Sequence, residues 1–143
     1  MWPFQIKNEI RTRAAPSPTG FPHIGNIRTF LFDYLYAKSY KGSFIIRIED
    51  TDHKRSVEGV TEKFLETLEW LGLSWDEGPD LKNGIIVGEK GKYGSYWQSR
   101  RLDSYKKHID ELLANDKAYY CFCTSETLDV MRKEQIKNKH ITK

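Results

Sequence analysis

The sequence of 143 residues predicts an α/β fold with a parallel sheet, on three observations. Strand-like and helix-like stretches alternate along its first half, an order that right-handed crossovers turn into neighbouring parallel strands. One strand stretch, Phe44-Ile45-Ile46-Arg47-Ile48, is β-branched and almost continuously apolar, the mark of a strand covered on both faces. The two stretches richest in chemistry-bearing side chains follow directly on two of the strands. Ligands of such sheets bind beyond the carboxyl ends of the strands.

The first strand is Glu9 to Ala15, where Ile10, Thr12 and Ala14 alternate with Glu9, Arg11 and Arg13, and Pro16 ends the ladder. A proline-punctuated turn, Pro16-Ser17-Pro18-Thr19-Gly20-Phe21-Pro22, then hands over to a helix at His23-Ile24-Gly25-Asn26. Ile24, Ile27, Phe30, Leu31, Tyr34 and Leu35 form its stripe, and Gly42 closes its exit. The apolar strand at Phe44 ends in Glu49-Asp50-Thr51-Asp52. Ser56 offers an N-cap for a second helix with Val57, Val60, Phe64, Leu68 and Leu71 on one face and Gly72 at C′. Leu73-Ser74-Trp75 reads as a third short strand. Gly78, Gly84, Gly88, Gly91 and Gly94 among polar residues read as a long surface loop from Glu77 to Tyr96 and a domain seam. Beyond it come a helix with Leu102, Tyr105, Ile109, Leu112 and Leu113 as its stripe, a strand from Ala118 to Cys123, and a last helix through Leu128, Met131 and Ile136. Thr124 or Ser125 caps that helix.

Composition narrows the class. Charged residues at 30% and apolar residues at 38% suit a folded, soluble domain, and the length can bury a core. A net charge of +3 permits an RNA partner without demanding one. No apolar run reaches the roughly 20 residues that span a bilayer. The opening Met1-Trp2-Pro3-Phe4 lacks the pattern of a signal peptide. Cys121 and Cys123, the only cysteines, are too close for an ordinary disulfide. The expected compartment is the cytoplasm, with no membrane partner and a monomer favoured.

The chemistry suggested by the residues is phosphate binding. A helix N-terminus presents unpaired N–H groups and positive dipole to an anion. His23 adds a donor there, and Gly25 removes the side chain that would block a flat base. Arg13, ending the first strand, can grip a carboxylate at two points. Glu49, following a buried strand, meets a pocket rather than bulk water and matches an ammonium group. Asp50 and Asp52 better fit a helix-capping task. Arg11 is expected to be structural or solvent-facing, Arg100 and Arg101 to be a solvated face, and His53, His108 and His140 to lie on the surface.

Arg13-Ala14-Ala15-Pro16-Ser17-Pro18-Thr19-Gly20, His23-Ile24-Gly25-Asn26 and Arg47-Ile48-Glu49-Asp50-Thr51-Asp52 together resemble bacterial-type glutamyl-tRNA synthetases. So do the stretch from Trp70 to Pro79 and Gln98-Ser99-Arg100-Arg101-Leu102, in one register from about Ile10 onward. The resemblance implies a class I synthetase with a Rossmann-like nucleotide-binding fold. Its reaction condenses glutamate with ATP to glutamyl-adenylate and then esterifies the 3′ end of tRNA(Glu). It implies the first half of that fold over residues 1–96, and over 97–143 the start of an α+β insertion that binds the acceptor stem.

Carried over by resemblance, His23 and Asn26 are catalytic, and Pro16, Thr19, Gly20, His23, Gly25 and Asn26 bind ATP with Mg2+. Arg13, Ala15, Ser17 and Glu49 bind L-glutamate, and Asp52 and Arg55 meet the tRNA end. Asn26 stands where the family's His-x-Gly-His signature carries its last histidine, keeping a hydrogen-bonding side chain but no charge. Cys121 and Cys123 would form half of a structural Zn2+ site, which wants four ligands; His140 is poorly spaced to complete it. The family's second ATP motif, a lysine-containing loop, has no counterpart here. The chain is therefore expected to be the first part of a longer enzyme and inactive alone. Two alternatives stay open: a paralogue that glutamylates queuosine in tRNA(Asp), which typically has a hydrophobic residue in place of Thr51, and a silent module that binds RNA or a synthetase.

Overall fold

The computed structural model describes residues 9–138. The opening segment read for a signal peptide and His140 lie outside the described residues. The chain divides into two compact units, one ending at Asp103 and one starting at Ser104.

In the first unit, β1 (Arg11–Ala14) pairs in parallel with β2 (Ser43–Ile46), Arg11 opposite Ser43 and Ala14 opposite Ile46. Helix α1 (Ile24–Ser39) joins them. The pairing runs on past both strands: Arg47 N–H donates to the Ala14 carbonyl, Glu49 N–H to Pro16 and Val57 N–H to Pro18. The proline turn is thereby stitched to the segment that carries Glu49. On the other side of β2 the chain near Glu77 runs parallel, with Ile46 N–H on the Glu77 carbonyl at 2.8 Å. The third strand expected at Leu73–Trp75 is displaced to this point. Leu73 is occupied in closing helix α2 (Val60–Trp70), its N–H on the Leu68 carbonyl, and the buried Trp75 donates its indole N–H to the Pro79 carbonyl.

The core lies on one face of the strands. Phe44, Ile46 and Ile48 are fully buried beneath α1 and α2, where Phe30 meets Phe64 and Tyr34 sits edge-on to Phe44. The opposite face, with Ile45 and Arg47, is only half-buried, so β2 is not covered on both sides as expected. Both helix stripes also shift. In α1 the inward residues are Ile27, Phe30 and Ala37, while Ile24, Leu31 and Leu35 are exposed. In α2 the expected Val60, Phe64 and Leu68 are buried, joined by Thr61 and Leu65, while Val57 and Leu71 at the two ends are exposed. Ser56 is not its N-cap: the helix starts behind Gly59, because the Pro18 carbonyl holds Val57 outside it. Gly72 does take the C′ position, with φ 72°. At the exit of α1 the left-handed residue is Lys41, not Gly42. Gly42 is needed for another reason, since a Cβ there would lie 2.2 Å from the Ile10 carbonyl oxygen.

The stretch read as a loop from Glu77 to Tyr96 contains a hairpin, β3 (Gly78–Lys82) antiparallel to β4 (Ile85–Lys90). Its two-residue turn, Asn83-Gly84, has φ of 52° and 75°, the all-positive turn that matches strand twist. At the root of the hairpin the buried Glu77 receives both terminal nitrogens of Arg11, at 2.6 and 2.8 Å, and the Tyr96 hydroxyl. Arg11 is structural, as expected. Its guanidinium holds the Glu77 carboxyl below the usual carboxylate range. A group so depressed stabilises the fold above its unfolded-state pKa, and the benefit is lost as pH falls through the folded value. Glu77→Gln is expected to cost about 2 kcal/mol at neutral pH and to flatten the acid limb of stability below about pH 4.5. Urea unfolding from pH 3 to 7 checks both, and parallel curves for the two proteins would refute the assignment.

Arg100 and Arg101 lie in a 3-10 turn (Gln98–Arg101), where Arg100 is solvent-exposed as expected and Arg101 is half-buried, and both are tied to the hairpin region. Arg100 pairs with Glu89 at 2.8 Å and Arg101 donates to the Ser95 carbonyl at 3.1 Å. Helix α3 (Leu102–Ala114) leads into the second unit, which also holds α4 (Ser125–Lys137). Thr124 caps α4, its hydroxyl accepting from Thr127 N–H. No residue of either helix is buried: of the expected stripes Tyr105 and Leu113 are half-buried and the others are exposed. Ala118 to Cys123 forms no strand. A strand requires a ladder partner, and among the described residues none pairs with it.

Candidate active site

The proline turn and the start of α1 enclose a cleft of about 260 Å³, lined by Ala15, Pro16, Ser17, Thr19, Gly20, Phe21, His23, Asn26, Phe30 and Phe64. His23 is the N-cap of α1, in extended conformation. Its Nδ1 accepts from Gly25 N–H at 3.2 Å, and Asn26 Oδ1 accepts from His23 N–H at 3.3 Å. A ring that accepts at Nδ1 carries its proton on Nε2, where it can be donated elsewhere. Gly25 makes this geometry affordable: a Cβ there would stand 3.0 Å from His23 Cε1 and Nδ1 and push the ring away. No acidic side chain occupies the first turn of α1 to compete with an anion.

Beside the cleft, Arg13, Arg47 and Glu49 meet on the half-buried face. Arg13 Nη1 lies 2.9 Å and Arg47 Nη2 3.2 Å from the same oxygen, Glu49 Oε1. Parallel pairing puts Arg13 and Glu49 at adjacent strand tips, on the same side, as their alternation requires. Ser17 donates its hydroxyl to the Glu49 carbonyl at 2.8 Å, which ties the proline turn to this cluster. Arg47 was missed by sequence reasoning. The available signal was a cation within an apolar strand, two residues before Glu49 and so on its face.

Further along, Asp50 accepts from both the N–H and the hydroxyl of Ser99, at 2.9 and 2.6 Å, capping the 3-10 turn. Asp52 and Arg55 form an exposed pair at 2.5 Å, and that guanidinium holds the Asp52 carboxyl below its usual range. His53 is exposed beside them, and His108, also exposed, lies 3.1 Å from Glu111. Cys121 and Cys123 are exposed free thiols. The backbone N–H and thiol of Cys123 draw the Cys121 thiol down, and the same contact pushes Cys123 up. Among the described residues no group of three or more His, Cys, Asp or Glu is arranged to hold a metal. The two thiols fall short of a tetrahedral zinc set. No described helix is long and apolar enough to cross a membrane.

Comparison with known proteins gives a consistent result. The family model described as tRNA synthetases class I (E and Q), catalytic domain, matches residues 9–143. A glutamate–tRNA ligase of Dehalococcoides mccartyi is 56% identical over 134 residues, 94% of this chain and 26% of that protein. One from Bacillus pumilus is 57% identical over 129 residues, 90% of this chain and 25% of its own. The crystal structure of a glutamate tRNA ligase from Elizabethkingia meningosepticum, in complex with its amino acid, superposes with a TM-score of 0.79 at 43% identity. It covers 94% of this chain and 25% of that one. The chain thus spans about a quarter of the length of the curated relatives it matches. The parallel βαβ unit, the helix start at its strand ends and these likenesses agree: the chain has the Rossmann-like class I fold and belongs to the catalytic-domain family of class I tRNA synthetases for glutamate and glutamine.

Proposed function

We propose that this chain is the N-terminal, substrate-binding part of a glutamate–tRNA ligase, with residues 1–96 the first half of the nucleotide fold and 97–143 the start of the acceptor-stem insertion. One observation carries the reading: the Arg13–Glu49 pair adjoins the His23–Asn26 cleft, so a carboxylate clamp and an anion-binding helix start lie side by side. The names of the relatives favour glutamate–tRNA ligation over the queuosine-modifying alternative.

In this reading the γ-carboxylate of L-glutamate is gripped by Arg13 and its ammonium group by Glu49. The α-carboxylate then points at the cleft. There an oxygen of that carboxylate attacks the α-phosphorus of ATP, and pyrophosphate leaves. The terminal ribose hydroxyl of tRNA(Glu) next attacks the acyl carbon, and AMP leaves. ATP, brought with Mg2+, is a substrate; the chain's part is positioning and stabilisation of charge on phosphorus oxygens. His23 Nε2–H and the α1 start supply that stabilisation, Pro16, Thr19 and Gly20 form the cleft wall, and Gly25 keeps the His23 ring in place. Ala15 and Ser17 border the glutamate, and Asp52 with Arg55 faces the tRNA end.

Replacing the N-terminal quarter of the Dehalococcoides mccartyi relative with this chain tests the reading. The hybrid enzyme is expected to exchange pyrophosphate into ATP only when L-glutamate is present, and the chain alone is expected to show no exchange. A folded hybrid without exchange, or one that responds equally to L-glutamine, would refute it.

A further inference from the structure

Arg47 has a place in the cluster that neither its strand nor its fold explains. It lies on the continuation of β2 at the position where that segment is stitched to β1, its N–H on the Ala14 carbonyl. Its side chain is 26% exposed, and its Nε is shut off from solvent with no hydrogen-bond partner among the described residues. Buried donors left unpaired are uncommon, and among the described residues Arg101 Nε is the other one. Among the described residues the one side-chain acceptor it reaches is Glu49 Oε1, at 3.2 Å, and Arg13 reaches the same oxygen. Glu49 has no backbone freedom to adjust, since its N–H and carbonyl are both taken by the proline turn.

Charge balance separates the two arginines. Arg13, Arg47 and Glu49 together carry +1, one more cation than Glu49 needs; Asp33 feels the charge of Arg13 but, among the described residues, takes no hydrogen bond from it. A second carboxylate arriving at the site can therefore take one arginine while Glu49 keeps the other. Arg13 is the more exposed, at 41% of its side chain, and the better placed to turn toward an incoming group. Arg47, with its stem in the strand face, cannot follow.

We propose that Arg47 is a positioning residue for glutamate binding. It retains Glu49 Oε1 when the substrate carboxylate draws Arg13 away, and so keeps Glu49 Oε2 aimed at the substrate ammonium group. Before substrate arrives Glu49 acts as an internal stand-in for its carboxylate, and Arg47 makes the exchange possible without stranding an unpaired anion. This rests on the assignment of L-glutamate to the Arg13–Glu49 cluster.

The test is titration of the whole 143-residue chain with L-glutamate, following arginine Nε–Hε resonances by NMR. The Arg13 signal is expected to move on binding and the Arg47 signal to move little. Arg47→Met should weaken binding about tenfold, Arg47→Lys should recover most of that, and the Arg47→Met/Glu49→Gln double variant should bind no worse than Glu49→Gln alone. Additive losses in the double variant, or binding by folded Arg47→Met equal to the parent, would overturn the role of Arg47 alone. Circular dichroism of each variant identifies misfolding, and the lysine variant then decides: unrestored binding in a folded Arg47→Lys also counts against it. A parent chain that binds no L-glutamate would overturn the assignment of the cluster, and this inference with it.

Discussion

Arg13→Ala in the hybrid enzyme is expected to lower kcat/KM for L-glutamate in ATP–pyrophosphate exchange by about 10²–10³-fold, with KM for ATP within about threefold of the parent. The substitution removes a two-point, charge-assisted grip on the substrate carboxylate, and it also changes the cluster from +1 to neutral. The remaining guanidinium, that of Arg47, stays with Glu49 and does not replace the lost grip on the substrate. Arg13→Lys separates the two effects. It restores the charge but not the planar fork, and about a tenfold recovery is expected from charge alone. A kcat/KM for glutamate unchanged within threefold in Arg13→Ala would remove Arg13 from the site, whatever the lysine variant does.

The second large effect concerns His23. His23→Ala is expected to reduce kcat of exchange by about 10²–10³-fold while KM for L-glutamate stays within about threefold, the pattern of an interaction made only as charge builds on phosphorus. The residue is also the N-cap of α1, and loss of a cap costs about 1 kcal/mol of stability. His23→Asn discriminates, because asparagine is a good N-cap but lacks the reach of an imidazole. Thermal stability should return in that variant and kcat should not. If kcat returns with the cap, the role of His23 is to build the helix start and nothing more. Gly25→Ala should act in the same direction through the ring it displaces.

How much of this was legible in advance differs by region. The strand, turn and helix around the cleft were readable because each depends on local chemistry: alternation in Arg11–Ala14, prolines that end a ladder, and a helix beginning at His23. Parallel pairing of β1 with β2 then followed from their order. The hairpin carried a legible signal, Asn83-Gly84, obscured by the surrounding glycines. Ser56 is a good N-cap by local chemistry, but its competitor is remote: the Pro18 carbonyl claims Val57 and the helix starts behind Gly59. Leu73–Trp75 looked like a strand by composition, but its residues are used to close a helix and to pack an indole. The apolar spacing of α3 and α4 predicts two helices and both form, yet a periodic pattern does not say what covers it.

By itself, then, the sequence determined the secondary elements with local signatures, the family resemblance, and which residue types stand at the strand tips. Those properties depend on neighbours within a few positions, where backbone sterics and side-chain spacing act directly. Only the tertiary structure decided that Arg11 belongs to Glu77 and Tyr96, that Arg13 and Arg47 converge on a single oxygen of Glu49, and that Gly42 and Gly25 are required by a carbonyl and an imidazole rather than by their own torsions. The pairs Arg11–Glu77, Arg13–Glu49 and Gly42–Ile10 are chosen by strand register and close packing between segments 30 or more residues apart, as the 36-residue separation of Arg13 and Glu49 shows. No local window contains both members of any of these three pairs.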